Sequence, residues 1–328
     1  MKKLLIAVLV FSLGMVTSNA QKFDFEFDAK ITDYTNIGKR KLAVALLDED
    51  NRAIAEYNKN KGSNPKGLEN YKAFIKSYNE NIQKAVAKYW KLNTTVEYKT
   101  PKELKKLIDD KDRDYAILEP IEANSEKEYL THDKGTATML VLYKTEKPDE
   151  YSYKIMMPYS FSRADGNNPL SDYYFTIQAA AANISYMIEK KKTSDFVDFM
   201  ETQAIAHCKE LKDKNLLIER DLIGAAMDKK AIKEYYKNKF EIVAKNDVVT
   251  EAVEGEKEEN CYTVLIPYTV YTNPMARDPK PILLCYKLIV DAGDGTILNY
   301  MTGKAKTGTE EESLIKEKDF DDLNSCEK

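Results

Sequence analysis

The chain has 328 residues and a formal net charge of −4, with 50 basic and 54 acidic side chains. A balance of that sign gives no electrostatic footprint for nucleic acid and no polybasic patch for an anionic membrane surface. Twelve Gly and ten Pro are few for an all-β sandwich rich in turns, and the length suits two domains better than one.

Met1-Lys2-Lys3 is a short basic start, and Leu4 to Val16 is apolar apart from Ser12 and Gly14. Ser18-Asn19-Ala20 then sets small residues at the positions a signal peptidase accepts. Length and flanks fit a cleavable export signal (residues 1–20) better than an uncleaved anchor. Cleavage between Ala20 and Gln21 removes Lys2 and Lys3 and no acid, so the mature charge falls by two. No later stretch approaches the ~20 apolar residues that span a bilayer. The expected location is periplasmic or secreted, soluble after signal removal and with no transmembrane anchor.

Lys22 to Asp28 alternates Phe with charged residues, which predicts a half-buried strand within an N-terminal strand or linker, 21–40. KLAVALLD (41–48) is a more apolar strand, and 57–67 is a polar stretch. Tyr71, Phe74, Tyr78, Ile82, Ala85 and Tyr89 recur at helical spacing, closed by Trp90. TVEYKT (95–100) reads as a strand, Pro101 opens a helix with Leu104, Leu107 and Ile108 inward, and YAILEP (115–120) is a strand. A hairpin follows over 138–144 and 151–158. Ser171 can cap a helix carrying Ile177, Ala181, Ile184 and Ile188, and a second helix restarts at 193–194 and runs to about Leu211.

The pattern then returns: strand 215–219, helix 228–236, strand 240–244, a helix from Asn246, strand 261–271, and a hairpin over 281–290 and 296–302. Tyr89-Trp90-Lys91 aligns with Tyr235-Tyr236-Lys237, and Val96-Glu97-Tyr98 with Phe240-Glu241-Ile242. Tyr115 to Pro120 aligns with Tyr262 to Pro267, and Leu142-Tyr143-Lys144 with Cys285-Tyr286-Lys287. The reading is an α/β chain with mixed sheets. Two duplicated strand–helix–strand–helix–strand–hairpin units, 41–170 and 214–308, are joined by helices at 171–213 and followed by an acidic tail, 309–328. One larger α/β domain is the competing architecture.

No nucleophile elbow, phosphate loop or dinucleotide fingerprint is present. His207 and Cys208 are neighbours on a helix and diverge by about 100°. Asp291-Ala292-Gly293-Asp294-Gly295 lacks the ligand spacing of a calcium loop and reads as a hairpin turn. Two His, His132 and His207, cannot build an ordinary zinc site. No metal or cofactor is expected, and no catalytic residue is nominated. Cys208, Cys261, Cys285 and Cys326 could form two bridges in an oxidising compartment, with three pairings open; Cys208 fits a buried thiol equally well. Thr95 to Leu118 resembles a passage of periplasmic solute-binding proteins, over about 24 residues and without the rest of that family's pattern.

Two functions stay open: a non-catalytic binding or envelope-associated interaction protein that meets a protein or surface polymer, and a periplasmic binder of a small ligand held between the units. An exported hydrolase is a third. Long connections at 121–137, with His132, and at 272–280, with Met275, Arg277 and Asp278, are the candidate recognition loops. N-terminal sequencing of the native protein should begin at or near Gln21; recovery of intact Met1 from the envelope would overturn the export reading.

Overall fold

The computed structural model describes residues 30–110, 112–122, 136–147, 150–160, 168–194, 196–224, 227–244, 246–271, 281–302 and 314–323. Ala20, Gln21 and the strand expected at 22–28 lie outside them. Helix α1 (Ile31–Ile37) leads into β1 (Lys41–Ala45), followed by α2 (Asn51–Lys59), α3 (Gly67–Tyr89), β2 (Val96–Lys99), α4 (Pro101–Asp109) and β3 (Tyr115–Glu122). The hairpin β4 (Thr136–Lys147) and β5 (Glu150–Ser160) completes the first unit. Then come α5 (Leu170–Lys190), α6 (Phe196–His207), β6 (Asn215–Glu219), α7 (Lys229–Tyr235), β7 (Phe240–Val243) and α8 (Asn246–Glu254). The chain ends with β8 (Asn260–Tyr271), β9 (Pro281–Asp291), β10 (Ile297–Thr302) and α9 (Glu317–Leu323).

The fold is mixed α/β. The first sheet has the order β2-β1-β3-β4-β5 and the second β7-β6-β8-β9-β10. In each, the first strand lies parallel between the second and third, and the fourth and fifth run antiparallel. Order and direction are therefore the same in both. The ladders also fix which residues correspond. Leu42 sits opposite Val96 and Ala116, and Leu216 opposite Phe240 and Cys261. Val96 and Phe240 thus hold equivalent places. Trp90 and Tyr236 are likewise the buried C-caps of the helices before them.

Two of the sequence alignments need correction. The ladder equates Ala116 with Cys261, so Tyr115 corresponds to Asn260 rather than Tyr262. A two-residue slip keeps every side chain on its face, so alternation alone cannot detect it. Ala116 pairs with Leu142 and Cys261 with Asp291, so Leu142 corresponds to Asp291, six residues from the expected Cys285.

Three local expectations also change. Residues 31–37 are helical: Asp33 accepts the Lys30 N–H at 2.9 Å, and Tyr34 and Ile37 are buried. Helix α2, not expected between the first strand and the polar stretch 57–67, is capped by Asp50, which accepts the Arg52 N–H at 2.7 Å, and its last residues enter that stretch. Ala53 is the one α2 residue in the buried class, too few for a helical period to be read. Pro169, not Ser171, is the N-cap of α5; Ser171 is fully buried and its hydroxyl has no hydrogen-bond partner among the described residues.

One apolar core joins the two sheets. It contains Leu42, Val44, Ala116 and Leu118 of the first, and Leu217, Val243, Tyr262, Val264 and Val290 of the second. Helices α3, α5 and α8 supply Tyr78, Ile82, Ile177, Ile184, Val249 and Val253 to the same cluster. Helix α5 is buried on nearly every side, as its run of Tyr, Phe, Ile and Ala requires. A second core lies on the other face of the second sheet, where Leu216, Ile218, Cys261 and Leu265 meet α7 and α9 through Ile232, Phe320 and Leu323. Leu42 therefore faces the shared core while its counterpart Leu216 faces away. The sheets stack head to tail, not face to face.

Polar contacts lock the same layer. The Lys88 ammonium on α3 donates to the Val253 and Glu254 carbonyls at 3.1 and 2.9 Å, at the negative end of the α8 dipole. Tyr174 on α5 donates to Glu254 at 2.8 Å and meets Tyr89 edge-on at 5.3 Å. The β9–β10 connection is a tight turn, as expected: Asp291 accepts the Gly293 N–H and Asp294 the Thr296 N–H. Gly295 has φ 72° and lies directly beneath Gln178 of α5, so a side chain there would be both strained and obstructed. On the far face, buried Lys287 of β9 bonds the Asp319 carboxylate, which also accepts the Lys316 N–H and so caps α9.

A shared core predicts one cooperative unfolding step. Trp90, the single tryptophan, reports the first unit by fluorescence, and far-ultraviolet dichroism reports both. The two curves should coincide. Ile184→Ala, at a fully buried α5 position, should lower stability by about 3 kcal/mol in both readouts together. Two separated transitions would overturn the single core.

Candidate functional site

In each sheet the chain leaves the first strand toward one edge and the third strand toward the other. This opens a gap beyond their C-terminal ends, the position where α/β sheets most readily receive ligands. At the first sheet, side chains of α3 fix the β1 end. Asn79 accepts the Leu47 N–H at 2.8 Å and donates to the Leu47 carbonyl at 2.9 Å. The Tyr71 hydroxyl accepts the Asp50 N–H at 2.9 Å, and Tyr78 donates to the Ala45 carbonyl at 3.4 Å. Tyr173 of α5 meets the Tyr78 ring edge-on at 5.9 Å.

Glu119 stands on the β3 side of this gap, two residues beyond the fully buried Ile117 and so on the same face of the strand. The residue is partly exposed, yet burial of its carboxyl raises the pKa from 4.5 to about 7. Among the described residues it has no hydrogen-bond or ion-pair partner. Its charge is felt by Tyr78, whose phenol is pushed well above 10 by burial first, then by Tyr173 and Glu119. Val264, packed in the shared core, holds the corresponding place in the second sheet.

Beyond β6 of the second sheet the chain makes contacts with its own C-terminal part. Residues 220–223 follow β6, and Ile223 pairs in parallel with Ile315, whose N–H bonds the Leu222 carbonyl at 2.9 Å. Ile223 and Ile315 pack with Ile218 and Leu265. Glu219, 3% exposed at the end of β6, occupies the place of Ala45 in the first sheet.

His132, Met275, Arg277 and Asp278 lie outside the described residues. Their flanking strands are described: Glu122 pairs with Thr136, and Tyr271 with Pro281. Both connections therefore begin at the C-terminal end of the third strand of their sheet. Cys208, Cys261 and Cys285 are free thiols, and Cys326 lies outside the described residues. Cys261 is opposite Asp291 and Cys285 opposite Pro267, so they stand six positions apart along the ladder, ~20 Å and beyond disulfide reach. Burial pushes both thiols up, Cys285 to about 12. Cys208 is half-buried beside His207, whose ring meets Glu210 at 2.8 Å. Among the described residues no group of three or more His, Cys, Asp or Glu is gathered to hold a metal, and no helix is long and apolar enough to cross a membrane.

Glu119 and Tyr78 are the site residues that sequence reasoning did not nominate. The available signal was an acid at an inward position of YAILEP, hard to separate among 54 acids. No protein-family model matches this sequence, and no curated protein or solved structure matches it either.

Between pH 4.5 and about 7 the folded Glu119 keeps a proton that the unfolded chain has released. Stability from this group is therefore lost as pH rises through that window. Glu119→Gln should leave stability nearly unchanged at pH 4 and raise it at pH 8, by roughly 2 kcal/mol once part exposure is discounted. Urea midpoints at the two pH values check this; an equal effect at both would refute it.

Proposed function

We propose that this chain is an exported, non-catalytic binding protein that meets a protein or surface polymer of the cell envelope, built from two units of common descent. The observation that carries the reading is the layer between the sheets. Buried side chains of α3, α5 and α8 fill it and belong to both units at once. A small-ligand receptor of the two-lobed kind needs a wet cleft there and a hinge to close it. The filled layer weighs against that alternative and favours recognition from the outside of a rigid body. The export part of the proposal rests on residues 1–21 and the composition. The loop residues His132, Met275, Arg277 and Asp278 stay with it on the sequence argument alone.

Immobilised mature protein should retain a macromolecular component of the native envelope that excess free protein competes away. Small-angle scattering should show an unchanged radius of gyration when the low-molecular-weight fraction of the same envelope is added. Closure on adding that fraction would favour the small-ligand receptor, and breakdown of the retained component would favour a hydrolase.

A further inference from the structure

Helix α9 has seven residues, too few to be stable alone, yet it closes the outer core with Phe320 and Leu323, both buried. Its start is held: Ile315 pairs with Ile223 beyond β6, and Asp319 bonds the buried Lys287. The helix then runs toward the opposite end of the sheet, where β6 and β7 begin. The Phe320 ring lies 6.2 Å from that of Tyr236, the C-cap of α7 just ahead of β7. Phe240, at the start of β7, pairs with Leu216 near the start of β6.

The same end of the sheet receives a short 3-10 helix, Cys208–Asp213, from α6. Lys214, next in the chain, donates to the Glu258 carbonyl at 2.6 Å and pairs with Asp291, where β9 ends. Leu211 is buried in the outer core that also holds Leu298 and Leu323. Residues three apart in a 3-10 helix eclipse, so Cys208 stands over Leu211, about 6 Å along the axis. Its thiol is half-buried. Cys326 lies outside the described residues; three residues beyond Leu323, it can stand up to ~10 Å from it. Cys208 and Cys326 thus flank one patch of core. The other two cysteines are buried, and Cys285 stands on β9 two residues from Lys287, toward the end where α9 starts. We infer that Cys208 and Cys326 form a disulfide that fastens the far end of α9 to the turn before β6, while Cys261 and Cys285 stay reduced. The oxidising compartment rests on the export reading above; the choice of partners does not. The oxidant is an exchangeable disulfide such as oxidised glutathione. One cysteine thiolate attacks it and releases one thiolate, and the second cysteine thiolate attacks the mixed disulfide and releases the other. Two cysteine thiols are oxidised, the donor is reduced to two thiols, and the two cysteine protons pass to the released thiolates.

The test equilibrates the mature protein, folded, with a mixture of oxidised and reduced glutathione, blocks free thiols with iodoacetamide and digests with trypsin. Mass spectrometry should find peptide 193–209 joined to peptide 319–328, with Cys261 and Cys285 alkylated only after unfolding. Amide exchange over 317–323 should be roughly tenfold or more faster in the reduced protein than in the oxidised one, with β8 and β9 unchanged. Cys208→Ser and Cys326→Ser should each reproduce the reduced behaviour, and the double variant should add nothing further. The reduced parent gives the same comparison with no substitution, so a poorly folding variant does not decide the matter. Unlinked peptides, a bridge that includes Cys261 or Cys285, or dimers joined between chains overturn the inference, as does α9 exchange that ignores reduction. Native protein that begins at Gln21 yet carries Cys208 and Cys326 as free thiols also overturns it. If the bridge forms in glutathione while the native protein retains Met1 and free thiols, the export reading falls and the pairing stands.

Discussion

The burial of α5 on nearly every side is what the rest of this molecule depends on. A helix that is apolar all round cannot rest on one sheet and face water. It needs partners on opposite sides, and the two sheets supply them. Residues such as Phe175, Ile177, Ile184 and Met187 are at most 2% exposed, and full burial of side chains of this kind contributes ~2 kcal/mol each. Separating the units would return that surface to water. The Lys88 contacts with the end of α8 and the Tyr174–Glu254 bond add direction to an otherwise non-directional joint.

Head-to-tail stacking follows from which faces close on α5, and it explains why the two halves resemble each other so weakly in sequence. Equivalent positions meet different surroundings. Leu42 faces the common core and Leu216 the outer one; α3 lies in the shared layer, while α7, its counterpart, lies outside it. Packing therefore asks for different residues at corresponding places even where the backbone has one topology. Glu119 and Val264 are the sharpest case: the valine lies in the shared core, and the glutamate is turned to the opposite side of its own sheet.

The fold also treats its two strand-end gaps differently. In the second sheet the chain doubles back, and Ile223 and Ile315 close apolar surface there, with α9 held down by the Lys287–Asp319 pair. At the first, the α3 side chains order the end of β1, and Glu119 remains without a counter-charge among the described residues. A carboxyl raised to about 7 is poised where small changes in its neighbourhood decide whether it is charged.

The sequence by itself determined the α/β class, the long helix over Tyr71 to Tyr89, both hairpins and the placing of Val96 and Phe240. Those signals are local: a period of 3.6, a period of 2, and turn residues at fixed offsets. Helices α1 and α2 stayed hidden because each is short and buries few side chains. Register stayed hidden because a two-residue slip, as at Tyr115 and Tyr262, leaves the alternation intact. Only the tertiary structure decided which face of each sheet meets α5, since a strand that is apolar on both faces carries no instruction about its partner. It alone singled out Glu119 among the chain's acids, because the burial that raises its carboxyl is defined by what surrounds it in space, and its surroundings come from residues distant in the chain.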